Sequence, residues 1–159
     1  MSTLYVDTIT EKTSGNGVQI TGHVVQVVEG TRIGSFVTTS TSFTPNGLSV
    51  TITPQFSTSK ILLSVNCMID TVSAAQAPWT IFRSINGATA TNLYNSTEGL
   101  GAAQGAYRYM LGACAVDASH GTTLPVTYSL YCRSSLGGTV EFPPFAGMTQ
   151  YLIAQEIAQ

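Results

Sequence analysis

LSVTITPQFSTSKILLSVNCMID, residues 48–70, decides the fold. Leu48, Val50 and Ile52 alternate with Ser49, Thr51 and Thr53 in its first run. Ile61, Leu63, Val65, Cys67 and Ile69 alternate with Lys60, Leu62, Ser64, Asn66 and Met68 in its second. A strand turns successive side chains to opposite faces, so this period of two marks a sheet with one face on a core; no helix gathers either set on one side. Residues 54–59 between the runs carry Pro, Ser and Thr, which suit a reversal. The stretch predicts a hairpin or short crossover inside an all-β domain.

Outward from this centre, the chain continues as strands punctuated by turns. Residues 24–29 form an apolar run, residues 32–41 pass into a Ser/Thr tract, and Thr44-Pro45-Asn46-Gly47 reads as a turn. Residues 73–77 read as a loop closed by Pro78, and residues 79–85 as a strand. Asn86-Gly87 is the clearest hairpin signal, because a type I′ turn needs positive φ at both central residues. Its partner strand is expected at residues 90–94, followed by a loop over 95–104. Strands are then expected at 107–116, 126–133, 139–142 and 148–157. Asp117 to Gly121 reads as a polar turn, Gly137-Gly138 as a second hairpin signal, and Pro143-Pro144 as a break. Some eight or nine short strands, with no sustained helical period, predict an antiparallel β-sandwich or jelly roll.

Composition fits one such domain. The chain has 159 residues, 43% of them hydrophobic, enough for a core. Only 9% are charged, against roughly a quarter in typical domains, and the net charge is −2. That balance leaves no basic footprint for nucleic acid. It also leaves few charged residues to guard sheet edges, so the surface is expected to be covered by other copies of the chain. No apolar stretch approaches the ~20 residues needed to span a membrane, and no basic-then-apolar signal peptide opens the chain. Cys67, Cys114 and Cys132 are odd in number and widely spaced, so they read as buried free thiols, not a disulfide framework or zinc site.

No catalytic or cofactor constellation is expected. Asp117, Ser119 and His120 are the one place where triad residue types cluster, but neighbours in a turn rarely present nucleophile, base and orienter together. A solvated turn in which Asp117 caps backbone amides is the reading taken. The eight acids are scattered from Asp7 to Glu156, and no spacing pairs two across the about 5–9.5 Å a glycosidase needs. No alternating Asp/Asn calcium loop appears, and His23 and His120 lie far apart, so no metal is expected. Asn95-Ser96-Thr97 matches a glycosylation acceptor but reads as a bare surface loop. Among the aromatics, Trp79, which follows Pro78 at a loop–strand border, is the best candidate for an exposed anchor, although core packing is the favoured reading.

Residues 1–22 read differently. Leu4, Val6 and Ile9, then Val18 and Ile20, flank a Ser14-Gly15-Asn16-Gly17 turn. This hairpin-like unit has too little apolar surface to stand alone, so a partner or neighbouring copies must cover it.

The opening STLYVDTITEKTSGNGVQI resembles the N-terminal segment of bacteriophage fibre proteins, with its Leu-x-Val-Asp-x-Ile unit and Gly/Asn turn. The stretches GHVVQVV (22–28), LSVTITP (48–54), SKILL (59–63) and the terminal YLIAQEI (151–157) resemble, in that order, a C-terminal module widespread in such fibres. Residues 74–121 carry no matching motif. The resemblance implies a structural, host-binding and generally trimeric virion protein, assembled in the host cytoplasm, with no catalytic residues. Residues 1–22 would then be a virion-attachment segment, with Leu4, Tyr5, Val6, Ile9, Val18 and Ile20 contacting other virion proteins, and residues 23–159 the sandwich. Trp79, Tyr94 and Asn95 are candidate contacts to a host-surface glycan or protein, and the loops at 73–77, 95–104 and 117–123 the adaptable outer contacts. A capsid decoration or head-fibre protein is the alternative. A polysaccharide-degrading spike enzyme comes third, because such enzymes are longer and repetitive.

Overall fold

The computed structural model describes residues 20–71, 76–94, 97–105, 108–143 and 145–159. Eleven strands follow in order: β1 Val24–Ile33, β2 Phe36–Thr38, β3 Thr44–Ile52, β4 Lys60–Thr71, β5 Gln76–Ile85, β6 Thr91–Asn92, β7 Gly101–Gln104, β8 Arg108–Asp117, β9 Val126–Cys132, β10 Val140–Phe142 and β11 Thr149–Ile157. They form two antiparallel sheets stacked as a sandwich. In the first, β1, β11, β4 and β8 lie side by side, and β10 then β2 continue beside the last residues of β4. In the second, β3, β9 and β5 lie side by side, with β6 and β7 end to end along the outer edge of β5. Residues 1–19 of the attachment unit, including the expected contacts Leu4 to Val18, fall outside the described residues; Ile20 is exposed.

The alternation of the organising stretch sets the core. Leu48, Val50 and Ile52 on β3 face Ile61, Leu63, Val65, Cys67 and Ile69 on β4, all buried. Their intervening neighbours point outward or to the margins. Each large side chain so buried stabilises the fold by about 1.5–3 kcal/mol. β3 and β4 belong to different sheets, so residues 54–59 cross from one sheet to the other instead of closing a hairpin. β1 passes close over β3 at Gly30, where an added Cβ would collide with the Ser49 carbonyl.

The Asn86-Gly87 turn is present. Asn86 has φ +49° and Gly87 φ +75°, and the Ala88 amide donates to the Ile85 carbonyl at 3.0 Å. Its partner strand is only the two residues of β6.

Four expectations need correction. Thr44 to Gly47 is not a free turn: it opens β3, with irregular pairing between Pro45 and Ser49 because Pro45 has no amide to donate. The last part of the 95–104 loop is β7, which pairs with β5 from Gln76 to Trp79. Gly137-Gly138 joins β9 to β10 across sheets and makes no hairpin. Cys114 is exposed, because the β8 alternation places it outward with Met110 and Val116, whereas Cys67 and Cys132 are buried and burial pushes each thiol up to about 12.

Candidate functional site

The buried ionisable groups Asp117, His120 and Glu156, with Ser59, gather at one end of the sandwich, where β3 stops, β4 and β9 start, and β8 and β11 finish. Leu152, Ala154, Glu156 and Ala158 share one parity and all are buried, so the strand carries the Glu156 carboxylate into the core. Burial alone would raise its pKa. Gln26, the Gln55 and Phe56 amides and the Ser59 hydroxyl outweigh that and hold it below the usual glutamate value. Gln26 Nε2 donates to Oε2 at 2.6 Å, the two amides donate at 3.0 Å, and Ser59 Oγ donates to Oε1 at 2.7 Å. Charge-assisted bonds of this kind are roughly twice as strong as neutral ones.

His120 joins the same knot. Its Nε2 lies 2.8 Å from the Ser59 carbonyl and 3.3 Å from Ser59 Oγ, and its Nδ1 lies 3.1 Å from the Thr122 carbonyl. Ser59, His120 and Glu156 are therefore adjacent and all buried. They do not form a relay: the hydroxyl donates to the carboxylate, and the carboxylate does not orient the imidazole.

Asp117 serves a second, separate cluster. Arg83 Nη1 donates to both carboxylate oxygens at 2.9 Å, the Tyr128 hydroxyl donates to Oδ2 at 2.8 Å, and the Ser119 amide donates to Oδ1 at 2.9 Å. Burial opposes the charge of Asp117, but these partners prevail and its pKa falls below the usual aspartate value. Tyr128 moves the opposite way, raised by its own burial and by the anion beside it. Asp117, Ser119 and His120, neighbours in sequence, thus serve two different knots. Asp117 does accept an amide as expected, but it is buried and not solvated.

Of the candidate contact residues, Trp79 and Tyr94 lie between the free edges of the sheets, where β7 and β8 run unpaired with each other. An open cleft of about 430 Å³ there is lined by Trp79, Gly101, Gln104, Tyr109, Met110 and Gly112, among others. Trp79 is 7% exposed, so it forms part of the core wall and is not a projecting anchor. Its indole lies against Gly101, where an added Cβ would sit 3.0 Å from Nε1. Tyr94 ties the β6–β7 connection to the β8 edge: its hydroxyl accepts from the Val116 amide at 2.9 Å and donates to the Val116 carbonyl at 3.3 Å. Burial raises its pKa most, the Val116 amide lowers it, and Asp117 raises it further. Asn95 lies outside the described residues.

Sequence reading passed over two features. Glu156 could have been found from its buried-face parity in YLIAQEI. The aromatic group on the outside of the second sheet has no local signal, because distant strands assemble it. Phe82 stacks on Tyr131 with centroids 3.9 Å apart, Phe43 tilts against Phe82 at 6.2 Å, and the Arg133 guanidinium covers Phe43 at 5.4 Å. Among the described residues, no group of three or more His, Cys, Asp or Glu is placed to hold a metal ion. The chain matches no protein-family model and no curated protein.

Proposed function

We propose that the chain is a non-enzymatic structural protein of a bacteriophage virion. It is a fibre or spike component that assembles as a homotrimer, attaches to other virion proteins through residues 1–22 and presents its sandwich to the host surface. One observation carries this reading: the stretches that resemble the phage-fibre module meet at a single carboxylate. Gln26 comes from GHVVQVV, Gln55 and Phe56 directly follow LSVTITP, Ser59 opens SKILL, and Glu156 lies in YLIAQEI. Short β motifs matched only through common strand composition have no reason to converge. Motifs that together build one buried knot do.

The strand order supports the same reading. Sheets ordered β1-β11-β4-β8 and β3-β9-β5 with β6 and β7 correspond to the two four-stranded layers of a jelly roll, an architecture common in viral structural proteins. The entry of the chain is fastened beside its exit: the Gly22 amide donates to the Ala158 carbonyl at 2.8 Å, and the Ala158 amide donates to the His23 carbonyl at 3.0 Å. Attachment through residues 1–22 then leaves the opposite end, with the β4–β5 and β7–β8 connections, to face outward. The connection over 117–123 is pinned by His120 at the attachment end, so it drops out of the outer-contact set.

Deletion of residues 1–20 tests the division of labour. The truncated protein remains a soluble oligomer and no longer enters particles. Incorporation at the normal level, or an insoluble truncated chain, contradicts it.

A further inference from the structure

The two outer faces of the sandwich differ. On the second sheet, Ser49, Thr51, Ser84, Thr127 and Ser129 give a hydroxyl-rich surface beside the half-buried Phe82–Tyr131 stack, and Thr51 and Thr127 bond to each other at 2.8 Å. On the first sheet, the outward side chains include Val27 at 57% exposure, Ile33 at 69%, Met110 at 63%, Val116 at 48% and Tyr151 at 39%. These are five of the eleven large apolar side chains exposed among the described residues. Among the described residues, ionised side chains stand at the margins of this face: Glu29 on the edge strand β1, Lys60 at one end, and at the other end Glu141 and Asp70, the latter paired with Arg108 at 2.9 Å.

We infer that this face, formed by β1, β11, β4 and β8, is buried against further copies of the same chain. The inference rests on the homotrimer reading and names its contact surface. Exposed Val27, Ile33, Met110, Val116 and Tyr151, with half-buried Leu62, Met68 and Ile153 and the uncharged Ser64, Asn66 and Gln155 among them, make a face low in charge, and depletion of charge is the mark of a subunit interface. Four strands at about 4.8 Å spacing, over the about 34 Å from Lys60 to Asp70, cover roughly 650 Å² in projection. Side-chain relief brings the accessible area toward roughly 800 Å² per chain, which a trimer shares between two neighbours, so each pairwise contact takes about half of a standard interface and the three contacts act together. A nucleic acid or a charged peptide finds no complementary charge in the centre of the face. A second copy offers the same uncharged, flat surface, and threefold symmetry lets the β1–β11 half of one copy meet the β4–β8 half of the next.

Cys114 reports on the face directly. It lies outward on β8 beside Ser64 and is the one exposed cysteine of the three. The test combines light scattering with maleimide labelling of the full chain. The unmodified protein elutes at three times 16.7 kDa, and its Cys114 reacts far more slowly than a free thiol. The double variant Met110→Glu/Val116→Glu, changed at exposed positions, keeps its β-sheet circular dichroism, shifts to monomer and exposes Cys114 to rapid labelling. Ser49→Glu, on the opposite face, changes neither mass nor labelling. A trimer whose Cys114 labels at the free rate, or which survives the double substitution, overturns the choice of face and leaves the assembly reading standing. A monomeric unmodified chain overturns both.

Discussion

Ser59 Oγ lies 2.7 Å from Glu156 Oε1 and 3.3 Å from His120 Nε2, so one buried hydroxyl joins the start of β4, the end of β11 and the β8–β9 connection. The hydroxyl lies within hydrogen-bond distance of both the carboxylate and the Phe56 carbonyl at 2.8 Å, and two backbone amides donate to the carboxylate, so among the described residues its charge is met by dipoles and not by an ion pair. The arrangement fastens three segments distant in sequence without offering a nucleophile.

Replacing the carboxylate tests that role. Glu156→Gln loses the charge that organises the knot and is expected to destabilise the fold by about 1.5–3 kcal/mol, the range for hydrogen bonds to charged groups. Urea unfolding at neutral pH measures it.

The same residue gives a pH dependence. The folded pKa of Glu156 lies below its ordinary value of 4.5, so its contribution is complete above that value and fades as pH falls through the lower folded one. Asp117, lowered from 3.8, acts in the same direction. Stability is therefore expected to fall as the medium is acidified below about pH 4.5. The slope is shallower in Glu156→Gln, and an identical acid profile in both proteins contradicts the assignment.

Asp117→Asn leaves Arg83, whose side chain is 20% exposed, without its ionic partner. Breaking such a pair costs on the order of 3 kcal/mol, because the remaining charge stays partly buried. Adding Arg83→Met to Asp117→Asn recovers part of the loss. A double variant as unstable as the sum of the two single changes contradicts a coupled pair.

Gly30→Ala places a methyl against the Ser49 backbone where β1 passes over β3. Backbone cannot yield as a flexible side chain does, so the loss is expected to reach or exceed the about 1–3 kcal/mol of ordinary overpacking. Thermal unfolding of Gly30→Ala measures the collision.

Legibility in the sequence followed the strength of the local signal. The runs at Leu48 to Ile52 and Ile61 to Ile69 announced their buried faces because apolar and polar residues alternate cleanly. The Asn86-Gly87 turn was equally legible, because its backbone chemistry is local. Assignment to sheets was not: which strand lies beside β4 depends on residues almost a hundred positions away. Short strands such as β7 owe their existence to the edge of β5, and GAAQ carries no pattern of its own. Cys114 was misjudged because β8 has small residues on both faces, so alternation is faint there. Glu156 was legible by parity, yet only the amides of Gln55 and Phe56 explain why a carboxylate is tolerated in that position.

The central claim, that this is a virion structural protein, is tested most directly by immunogold labelling of intact phage particles recovered from cells that express the chain. The account predicts gold at fixed positions on the particle, concentrated on the tail fibres or spike. Label confined to the capsid would instead indicate a decoration or head-fibre protein. Particles without label, with the protein found only free in the lysate, would contradict the claim.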